Sequence, residues 1–174
     1  MRIFVSFFSL LSLAVFFTAC GGVSIEEGSH YCIMSKSGET CFDVHQGNRA
    51  AGVGIILWAA NSVSNAVPNQ NWMFRKAGDG YKIVSVLSEL CLDVASGSDA
   101  NGARIIQWSD TGPDADNQIF LLEPAGEYVR IISQRSKKLL GTVDGTLNPG
   151  AVIAQFEAQP ERADSQLWML KKIK

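Results

Sequence analysis

The sequence predicts an all-β fold in which three similar repeats close around a common axis. Two observations support this prediction. A set of short motifs recurs about every 48 residues, which is the signature of an internal repeat. Within each repeat the apolar segments are short, rich in Ile, Val and Leu, and bounded by Gly, Ser, Asp and Asn, as is typical of strands joined by turns. None is long or periodic enough to predict a helix.

The register of the repeats follows from residues that keep a constant spacing. Cys41, Asp43 and Trp58 recur 50 positions later as Cys91, Asp93 and Trp108. From the second to the third repeat the offset is 48, which relates Gly102 to Gly150 and Gln118 to Gln166. Four short strands in each repeat make about twelve strands. A single repeat cannot bury its own apolar face, whereas three can close a barrel that has no exposed edge.

The first 19 residues predict a removable signal segment. Arg2 is followed by an uncharged run that ends at Ala19. The sequence Phe17-Thr18-Ala19-Cys20 resembles a bacterial lipobox, whose cysteine is lipidated and becomes the N-terminus, although Phe17 replaces the usual Leu. Gly21, in place of Asp, favours the outer membrane or the cell surface. The alternatives are a plain signal peptide with a stray cysteine and, less in keeping with the flanking residues, an uncleaved membrane helix.

The predicted organisation is a signal peptide over residues 1–19, a lipidated cysteine and flexible tether over 20–29, and one domain over 30–174. The repeats run over about 30–79, 80–127 and 128–174. The formal charge is −2, and the leader contains a single charge, that of Arg2. A weakly acidic domain excludes a basic nucleic-acid surface. A chain with 47% hydrophobic and 18% charged residues is not disordered.

Three kinds of motif recur in register. They are Cys-x-Asp-Val at Cys41–Val44 and Cys91–Val94, Gly-x-x-Ile-x-x-Trp ending at Trp58 and Trp108, and Gln-x-aromatic at Gln70–Trp72, Gln118–Phe120 and Gln166–Trp168. From about His30 to Lys174 the pattern resembles the ricin-type lectin domain, also described as the carbohydrate-binding family with the Gln-x-Trp repeat. The resemblance implies a β-trefoil of three pseudo-symmetric four-stranded repeats, and non-catalytic binding of glycans or polysaccharide.

The resemblance also implies two carbohydrate sites. In the family an Asp and an Asn bind sugar hydroxyls, an aromatic ring stacks on the sugar, and the neighbouring Gln orients the Asp. Transferred to matching positions, these roles fall on Asp43, Trp58, Asn69 and Gln70 in the first repeat, and on Asp93, Trp108, Asn117 and Gln118 in the second. The set suits a sugar, because a carboxylate accepts from hydroxyls and an amide both donates and accepts.

The third repeat departs from this pattern. Gly141 stands in the place of the Asp and Ser165 in the place of the Asn, so only Phe156 and Gln166 remain. Asp144 lies three positions out of register. Because the acceptor for hydroxyls is missing, the third repeat is expected to be a scaffold without sugar affinity.

Some side chains keep two interpretations. The two site aspartates could merely cap turns, and the two site tryptophans could belong to the core, because strand alternation places apolar residues on both faces. Trp72, Phe120 and Trp168 are expected in the core. Ile56 and Ile106 occupy the place where galactose-binding relatives often have Gln, so the sugar stays open.

The cysteines predict one disulfide. Cys32 and Cys41 flank the turn Ser35–Glu39 and would lie opposite each other in a hairpin. In an exported chain such a pair of thiols can be oxidised to a disulfide. Cys91 occupies the place equivalent to Cys41, but Lys82 stands where its partner would be. Cys91 is therefore expected to be a free thiol.

The sequence predicts no enzyme, cofactor or metal site. It has no zinc-ligand spacing, phosphate loop or Gly-x-Ser-x-Gly elbow, and its two site aspartates fall in different repeats. The favoured hypothesis is a membrane-anchored lectin lipoprotein of the bacterial envelope. The alternative is a structural or protein-binding trefoil, such as a delivery subunit of a multi-part toxin, whose loop Ala59–Pro68 would contact an unidentified partner protein. An enzyme ranks last.

Overall fold

The computed structural model describes residues 23–60 and 67–173. The predicted signal segment, Cys20 and most of the loop Ala59–Pro68 lie outside the described residues. Within that part of the chain there are twelve strands, named β1 to β12 in order: His30–Ser35, Thr40–Val44, Ile55–Ala59, Trp72–Ala77, Gly80–Ser85, Cys91–Val94, Ile105–Trp108, Phe120–Ala125, Tyr128–Ser133, Leu139–Thr142, Ile153–Phe156 and Trp168–Lys172.

Short 3₁₀ helices follow some of these strands or precede others. They span His45–Gly47, Pro68–Gln70, Ala95–Gly97, Asp116–Gln118 and Pro160–Gln166. No helix among the described residues has the length and apolar character needed to cross a membrane.

Six of the strands close a barrel. Their antiparallel pairing runs β1–β4, β4–β5, β5–β8, β8–β9, β9–β12 and β12–β1, so the ring has no free edge. The remaining strands form the hairpins β2–β3, β6–β7 and β10–β11, attached to β1, β5 and β9. Each repeat therefore contributes two barrel strands and one hairpin. This is a β-trefoil, as the family resemblance implied.

Each hairpin has one face in the core and one face outside it. In the first repeat Phe42, Val44, Ile55 and Leu57 are fully buried. Directly opposed residues of an antiparallel pair share a face, and successive residues alternate. Asp43 is opposite Ile56, and Cys41 is opposite Trp58, so these four side chains lie on the other face. The same alternation places Asp93 and Trp108 together in the second repeat.

The aromatic residues of the Gln-x-aromatic motifs are core residues, as predicted. Trp72, Phe120 and Trp168 are fully buried. The indole N–H of Trp72 donates to the Phe42 carbonyl at 3.3 Å, and that of Trp168 donates to the Leu140 carbonyl at 3.1 Å. Each indole thereby joins its barrel strand to the hairpin of its own repeat.

Buried glutamines join one repeat to the next. Gln107 donates to the carbonyls of Asn48 and Ala50, at 2.8 and 2.7 Å. Gln155, its equivalent in the third repeat, donates to the carbonyls of Ser98 and Ala100, at 2.8 and 3.1 Å. Both side chains are fully buried, so each holds a loop of the preceding repeat against the hairpin of its own.

The segment before β1 differs from the flexible tether expected over residues 20–29. Val23 and Ile25 are partly buried and pack against the main core. The Glu26 amide donates to the Tyr31 hydroxyl at 2.8 Å, and Lys172 forms an ion pair with Glu26 at 2.6 Å. From residue 23 onward the segment is therefore part of the domain, because its apolar side chains find a surface to cover.

The predicted Cys32–Cys41 disulfide is not formed in the structure, where both are free, buried thiols. The pairing register explains the difference: Cys41 lies opposite Met34 rather than Cys32, so the two cysteines are diagonal neighbours. The neighbouring Cys32 thiol and burial raise the pKa of Cys41. Cys91 is a free, buried cysteine, as expected.

Candidate functional site

The first site is defined here as Asp43, Trp58, Asn69 and Gln70, all of which the fold brings to one side of the β2–β3 hairpin. The Asn69 amide donates to Asp43 Oδ2 at 2.8 Å, and the Gln70 amide donates to the same oxygen at 2.9 Å. The short helix Pro68–Gln70 presents both amides to β2. Within the described residues, no donor is bound to Asp43 Oδ1.

The second site, Asp93, Trp108, Asn117 and Gln118, repeats this arrangement. Asn117 donates to Asp93 Oδ2 at 2.9 Å and Gln118 donates to that oxygen at 2.8 Å. The helix Asp116–Gln118 positions the two amides. Again both amides use one carboxylate oxygen, and the described part of the chain leaves the other without a bound donor.

The two site tryptophans are exposed, unlike the core tryptophans. Trp58 is 50% exposed and Trp108 is 43% exposed, whereas Asp43 and Asp93 are almost completely buried. Each indole lies on the same hairpin face as its aspartate. Trp58 is two residues after Ile56, which is opposite Asp43, and Trp108 is two residues after Ile106, which is opposite Asp93. The result is a recessed carboxylate next to an exposed flat ring. The core interpretation of these two tryptophans is therefore wrong.

The second site opens into a cavity of about 500 Å³. Its floor and walls include the carboxylate, the indole and the amide, together with Thr111 and the turn Ala95–Gly97. In that turn Ser96 and Gly97 have φ angles of 59° and 58°. Such left-handed backbone curls the chain away from the hairpin, and at Gly97 it suits a residue without a side chain. The turn His45–Gly47 takes the same place in the first site, whereas residues 61–66, between β3 and the helix Pro68–Gln70, lie outside the described residues.

The environment of each carboxyl acts on its pKa in two directions. Burial raises the pKa of Asp43 above its ordinary value, while the hydrogen bonds from Gln70 and Asn69 and the charge of His45 oppose that rise. Burial likewise raises the pKa of Asp93, opposed by the amides of Gln118 and Asn117. The two amides thus offset part of the cost of keeping an ionised carboxylate in a recessed place.

The site glutamines also hold the loop that follows the aromatic strand. Gln118 donates to the Ser109 carbonyl at 2.8 Å and accepts from the Thr111 amide at 3.1 Å. Gln166 makes the equivalent pair of bonds with Glu157 and Gln159 in the third repeat, at 2.9 Å each. The glutamine therefore persists where the aspartate is lost, because it closes a loop as well as orienting a carboxylate.

The third repeat has no room for the missing carboxylate. A Cβ atom at Gly141 would lie 2.9 Å from Cγ of Gln166 and 3.2 Å from the Ser165 carbonyl oxygen. The Gln166 side chain occupies the space that an aspartate at position 141 would need. The third repeat therefore lacks both the carboxylate that would accept from sugar hydroxyls and the space that such a side chain would need.

An arginine covers the ring of the third repeat. The Arg162 guanidinium lies 5.7 Å from the centre of the Phe156 ring and donates to the carbonyls of Thr142 and Val143. Phe156 is consequently only 9% exposed. Gly145 makes this possible, because a Cβ there would lie 2.6 Å from the arginine Nε. A side chain of the protein thus occupies the surface that is open in the other two repeats.

A buried lysine supports the loop that forms one wall of the second site. The Lys82 ammonium is paired with Asp110 and donates to the Gly112 carbonyl at 2.6 Å. This loop contains Thr111, which lines the cavity. Sequence reasoning noted Lys82 only as a residue that cannot pair with Cys91.

Sequence reasoning missed Thr111, the turn Ala95–Gly97, Lys82 and Arg162. For the turn a signal was present, since it follows each Cys-x-Asp-Val motif directly. Arg162 could not have been found by register, because its role depends on the ring, the carbonyls and the small residue that surround it in space.

The fold and these sites define a ricin-type lectin domain. The family described as "Ricin-type beta-trefoil lectin domain-like" matches residues 17–108 and, in a second overlapping match, residues 68–156, so the chain belongs to this family. No curated protein matches the chain in sequence.

Solved structures share the architecture. The chain is similar to ThreeFoil, a designed threefold-symmetric protein, with 28% identity and a TM-score of 0.74 over 82% of this chain and 97% of that one. It is similar to an exo-β-1,3-galactanase from Clostridium thermocellum, with 26% identity and a TM-score of 0.76 over 86% of this chain. That match covers 31% of the galactanase, so the chain spans about a third of the enzyme's length.

The C-terminal half of an earthworm R-type lectin, solved in complex with GalNAc, has 18% identity and a TM-score of 0.64 over 83% of this chain and 98% of that one. At this identity the likeness shows the fold alone.

Proposed function

We propose that the domain binds saccharides without catalysis at two places, the first site and the second site. One observation carries the proposal. In both repeats two amides hold one oxygen of a recessed aspartate, its other oxygen has no bound donor in the described residues, and an exposed indole lies on the same face. This combination meets the needs of a sugar ring, which has polar hydroxyls around an apolar face.

In the proposed complex, neighbouring sugar hydroxyls donate to the open oxygen of Asp43 or Asp93. The amide of Asn69 or Asn117 lies beside that carboxylate and can accept from, or donate to, the next hydroxyl. The C–H face of the ring packs on Trp58 or Trp108. The glutamine does not contact the sugar, because its amide is occupied by the aspartate and a backbone carbonyl.

The affinity of each site is expected to be low. Hydrogen bonds to a charged group contribute about 1.5–3 kcal/mol and an aromatic contact about 0.5–1.5 kcal/mol, before the cost of association is subtracted. The resulting Kd is on the order of millimolar to high micromolar for one site. Two sites on one rigid body raise the avidity for a surface covered with glycans.

The number of carboxylates supports binding rather than hydrolysis. Glycoside hydrolysis uses a pair of carboxyl groups about 5–9.5 Å apart on either side of one bond. Here each recessed carboxylate is the only one that lines its own site among the described residues, and the two belong to different hairpins.

A glycan array tests the proposal. The chain from Gly21 onward is expected to bind a set of glycans, and Asp43→Ala and Asp93→Ala are each expected to reduce binding, with a greater loss in the double variant. Asp144→Ala, an exposed aspartate of the third repeat, is the matched control and is expected to leave binding unchanged. Binding that survives the double variant would refute the assignment, and the absence of binding to any glycan would favour the protein-binding alternative.

We also propose that Cys20 is lipidated and anchors the domain to the bacterial envelope, at the outer membrane or cell surface. The support is the lipobox-like sequence that ends at this cysteine, which lies outside the described residues. Several acyl chains are sufficient for stable anchoring. Radiolabelled palmitate is expected to label the wild-type chain and not Cys20→Ser. Equal labelling of both, or of neither, would refute the anchor.

A last proposal concerns the paired thiols. Because Cys32 and Cys41 are diagonal neighbours in one buried cluster, we expect them to close to a disulfide in an oxidising compartment. Mass spectrometry of non-reduced protein from the envelope is expected to give one peptide pair joined by a bridge and Cys91 as a free thiol. Recovery of all three cysteines as free thiols would refute it.

A further inference from the structure

The two sites differ at the residue that follows the Cys-x-Asp-Val motif. His45 takes this place in the first site and Ala95 in the second. The backbone around them is the same. The preceding valine has φ and ψ of −71° and 112° at the first site and −77° and 112° at the second, and the following residue has φ of 57° or 59°.

Hydrogen bonding confirms that the two residues occupy equivalent positions. The His45 amide donates to the Gly54 carbonyl at 3.2 Å, and the Ala95 amide donates to the Arg104 carbonyl at 3.0 Å. Ala95 lines the cavity of the second site. The Cβ of His45 therefore lies at the edge of the first site, and the imidazole extends from a place where the second site has only a methyl group. His45 is exposed.

The charged groups around His45 are few. Asp43 is the acidic residue of the adjoining strand, and His45 is close enough to lower the pKa of Asp43. Strand β3 and the helix Pro68–Gln70 contain no ionisable side chain, and neither does the sequence from 61 to 66. The loop after the turn carries Arg49, whose guanidinium donates to the Leu87 carbonyl in a turn that also contains the exposed Glu89.

The second site has a more acidic border. Asp99 and Asp116 both pair with Arg135, at 3.2 and 3.3 Å, so two carboxylates share one guanidinium. The loop that supplies Thr111 also carries the exposed Asp114. Arg104, just before β7, is exposed, and the Lys82 ammonium is paired with Asp110. Among the described residues, Ala95 replaces the histidine beside Asp93, and the bonds to the Asp93 carboxylate come from two neutral amides.

We propose that His45 makes the first site selective for saccharides that carry a carboxylate, and that this selectivity increases in acid, whereas the second site takes neutral saccharides. The inference rests on the proposed function. Histidine gains its positive charge between about pH 8 and pH 5. The imidazolium then balances Asp43 and leaves a donor for an anionic ligand, while the uncompensated charge of Asp93 repels one.

The size of the effect follows from exposure. An ion pair at an exposed position changes affinity by about two- to fivefold, because water competes with it and salt screens it. The measurement must therefore compare matched ligands at two pH values on a single site, rather than rely on one affinity.

The test uses the full chain, purified in mild detergent, with one site silenced at a time. Asp93→Asn leaves the first site and Asp43→Asn leaves the second. The ligands are the methyl glycosides of galacturonic acid and galactose, and of glucuronic acid and glucose, so that each pair differs only in the carboxylate. Affinities are measured at about pH 5.5 and pH 7.5 from the indole signals of Trp58 and Trp108 in two-dimensional NMR spectra.

With the first site alone, the affinity for the uronate relative to its neutral partner is expected to rise about two- to fivefold between the higher and the lower pH. Adding His45→Ala is expected to abolish that rise. With the second site alone the ratio is expected to be flat, and adding Ala95→His is expected to create a rise. The spectrum of the four indole groups reports whether each variant is folded.

The outcomes separate this inference from the proposed function. Binding of neutral glycosides with a ratio that does not change with pH, or a rise that survives His45→Ala, would overturn the inference alone. No response of either exposed indole to any of the four glycosides would overturn the proposed function and the inference together.

Discussion

Replacement of Asp93 by Asn separates the binding role of this carboxylate from its structural role. The two side chains have the same shape. The amide oxygen of an asparagine can accept from Asn117 and Gln118, as Asp93 Oδ2 does now at 2.9 and 2.8 Å. Its NH₂ group would then replace the open oxygen, so the cavity would present a donor in place of a charged acceptor.

The expected loss of affinity follows from the bond that disappears. A hydrogen bond to a charged group contributes about 1.5–3 kcal/mol, which corresponds to roughly a 10- to 150-fold weaker Kd at the second site. The first site is expected to be unaffected, because it belongs to another hairpin with its own amides.

Stability is expected to move in the other direction or not at all. Burial raises the pKa of Asp93 in the folded protein, so the folded state favours the protonated form. The stabilisation from protonation is complete below the unfolded pKa of about 3.9 and is lost as the pH rises through the folded value. At pH 7 the ionised carboxylate therefore reduces stability. Asp93→Asn removes that cost, and its free energy of unfolding should be no lower than that of the wild type.

The assay exploits the tryptophans. The chain has four, and the indole N–H groups of Trp72 and Trp168 are bonded inside the protein. Trp58 and Trp108 are exposed, so their signals report the two sites separately in one titration. Asp43→Asn is the matched control and should weaken only the response of Trp58. An unchanged titration of Trp108 in Asp93→Asn would refute the carboxylate as the acceptor, and weaker binding accompanied by a clear fall in stability would show that the loss is structural.

Three further results are expected. Gln107→Ala removes three buried hydrogen bonds, two to loop carbonyls and one from Ser88, and should lower the free energy of unfolding by about 2–4 kcal/mol in urea denaturation. Arg162→Ala should expose Phe156 without creating a third site, since the carboxylate is missing, so isothermal titration should still find two sites and a third would contradict this. Gly80→Ala should lower the free energy of unfolding by about 1–3 kcal/mol in thermal denaturation, because its Cβ would lie 2.7 Å from the Phe120 carbonyl oxygen. An unchanged melting temperature would show that the backbone shifts to accept the methyl group.

Much of the fold could be predicted from the sequence, because three repeats give the same pattern of strands and turns three times. The constant spacing from Cys41 to Cys91 and from Gln118 to Gln166 fixes which residues take equivalent places, and the short apolar runs identify the strands between them. The core position of Trp72 followed from the same register. The exposure of Trp58 did not, since both faces of its strand are apolar in sequence.

The errors have a common physical cause. The segment 20–29 was expected to be a flexible tether, but the barrel offers a surface that Val23 and Ile25 cover. The Cys32–Cys41 pair was expected to be directly opposed, but the turn shifts Cys41 opposite Met34. Both structural features depend on where residues from other parts of the chain lie in the folded protein.

The sequence by itself determined the threefold plan, the membership of each residue in a repeat, and the two sets of carboxylate, indole and amides that the third repeat lacks. These are properties of local pattern and spacing. Only the tertiary structure decided which oxygen of each aspartate the amides occupy, and that Arg162 covers the ring of the third repeat. Such facts arise from contacts between residues far apart in the chain, which no spacing along the sequence encodes.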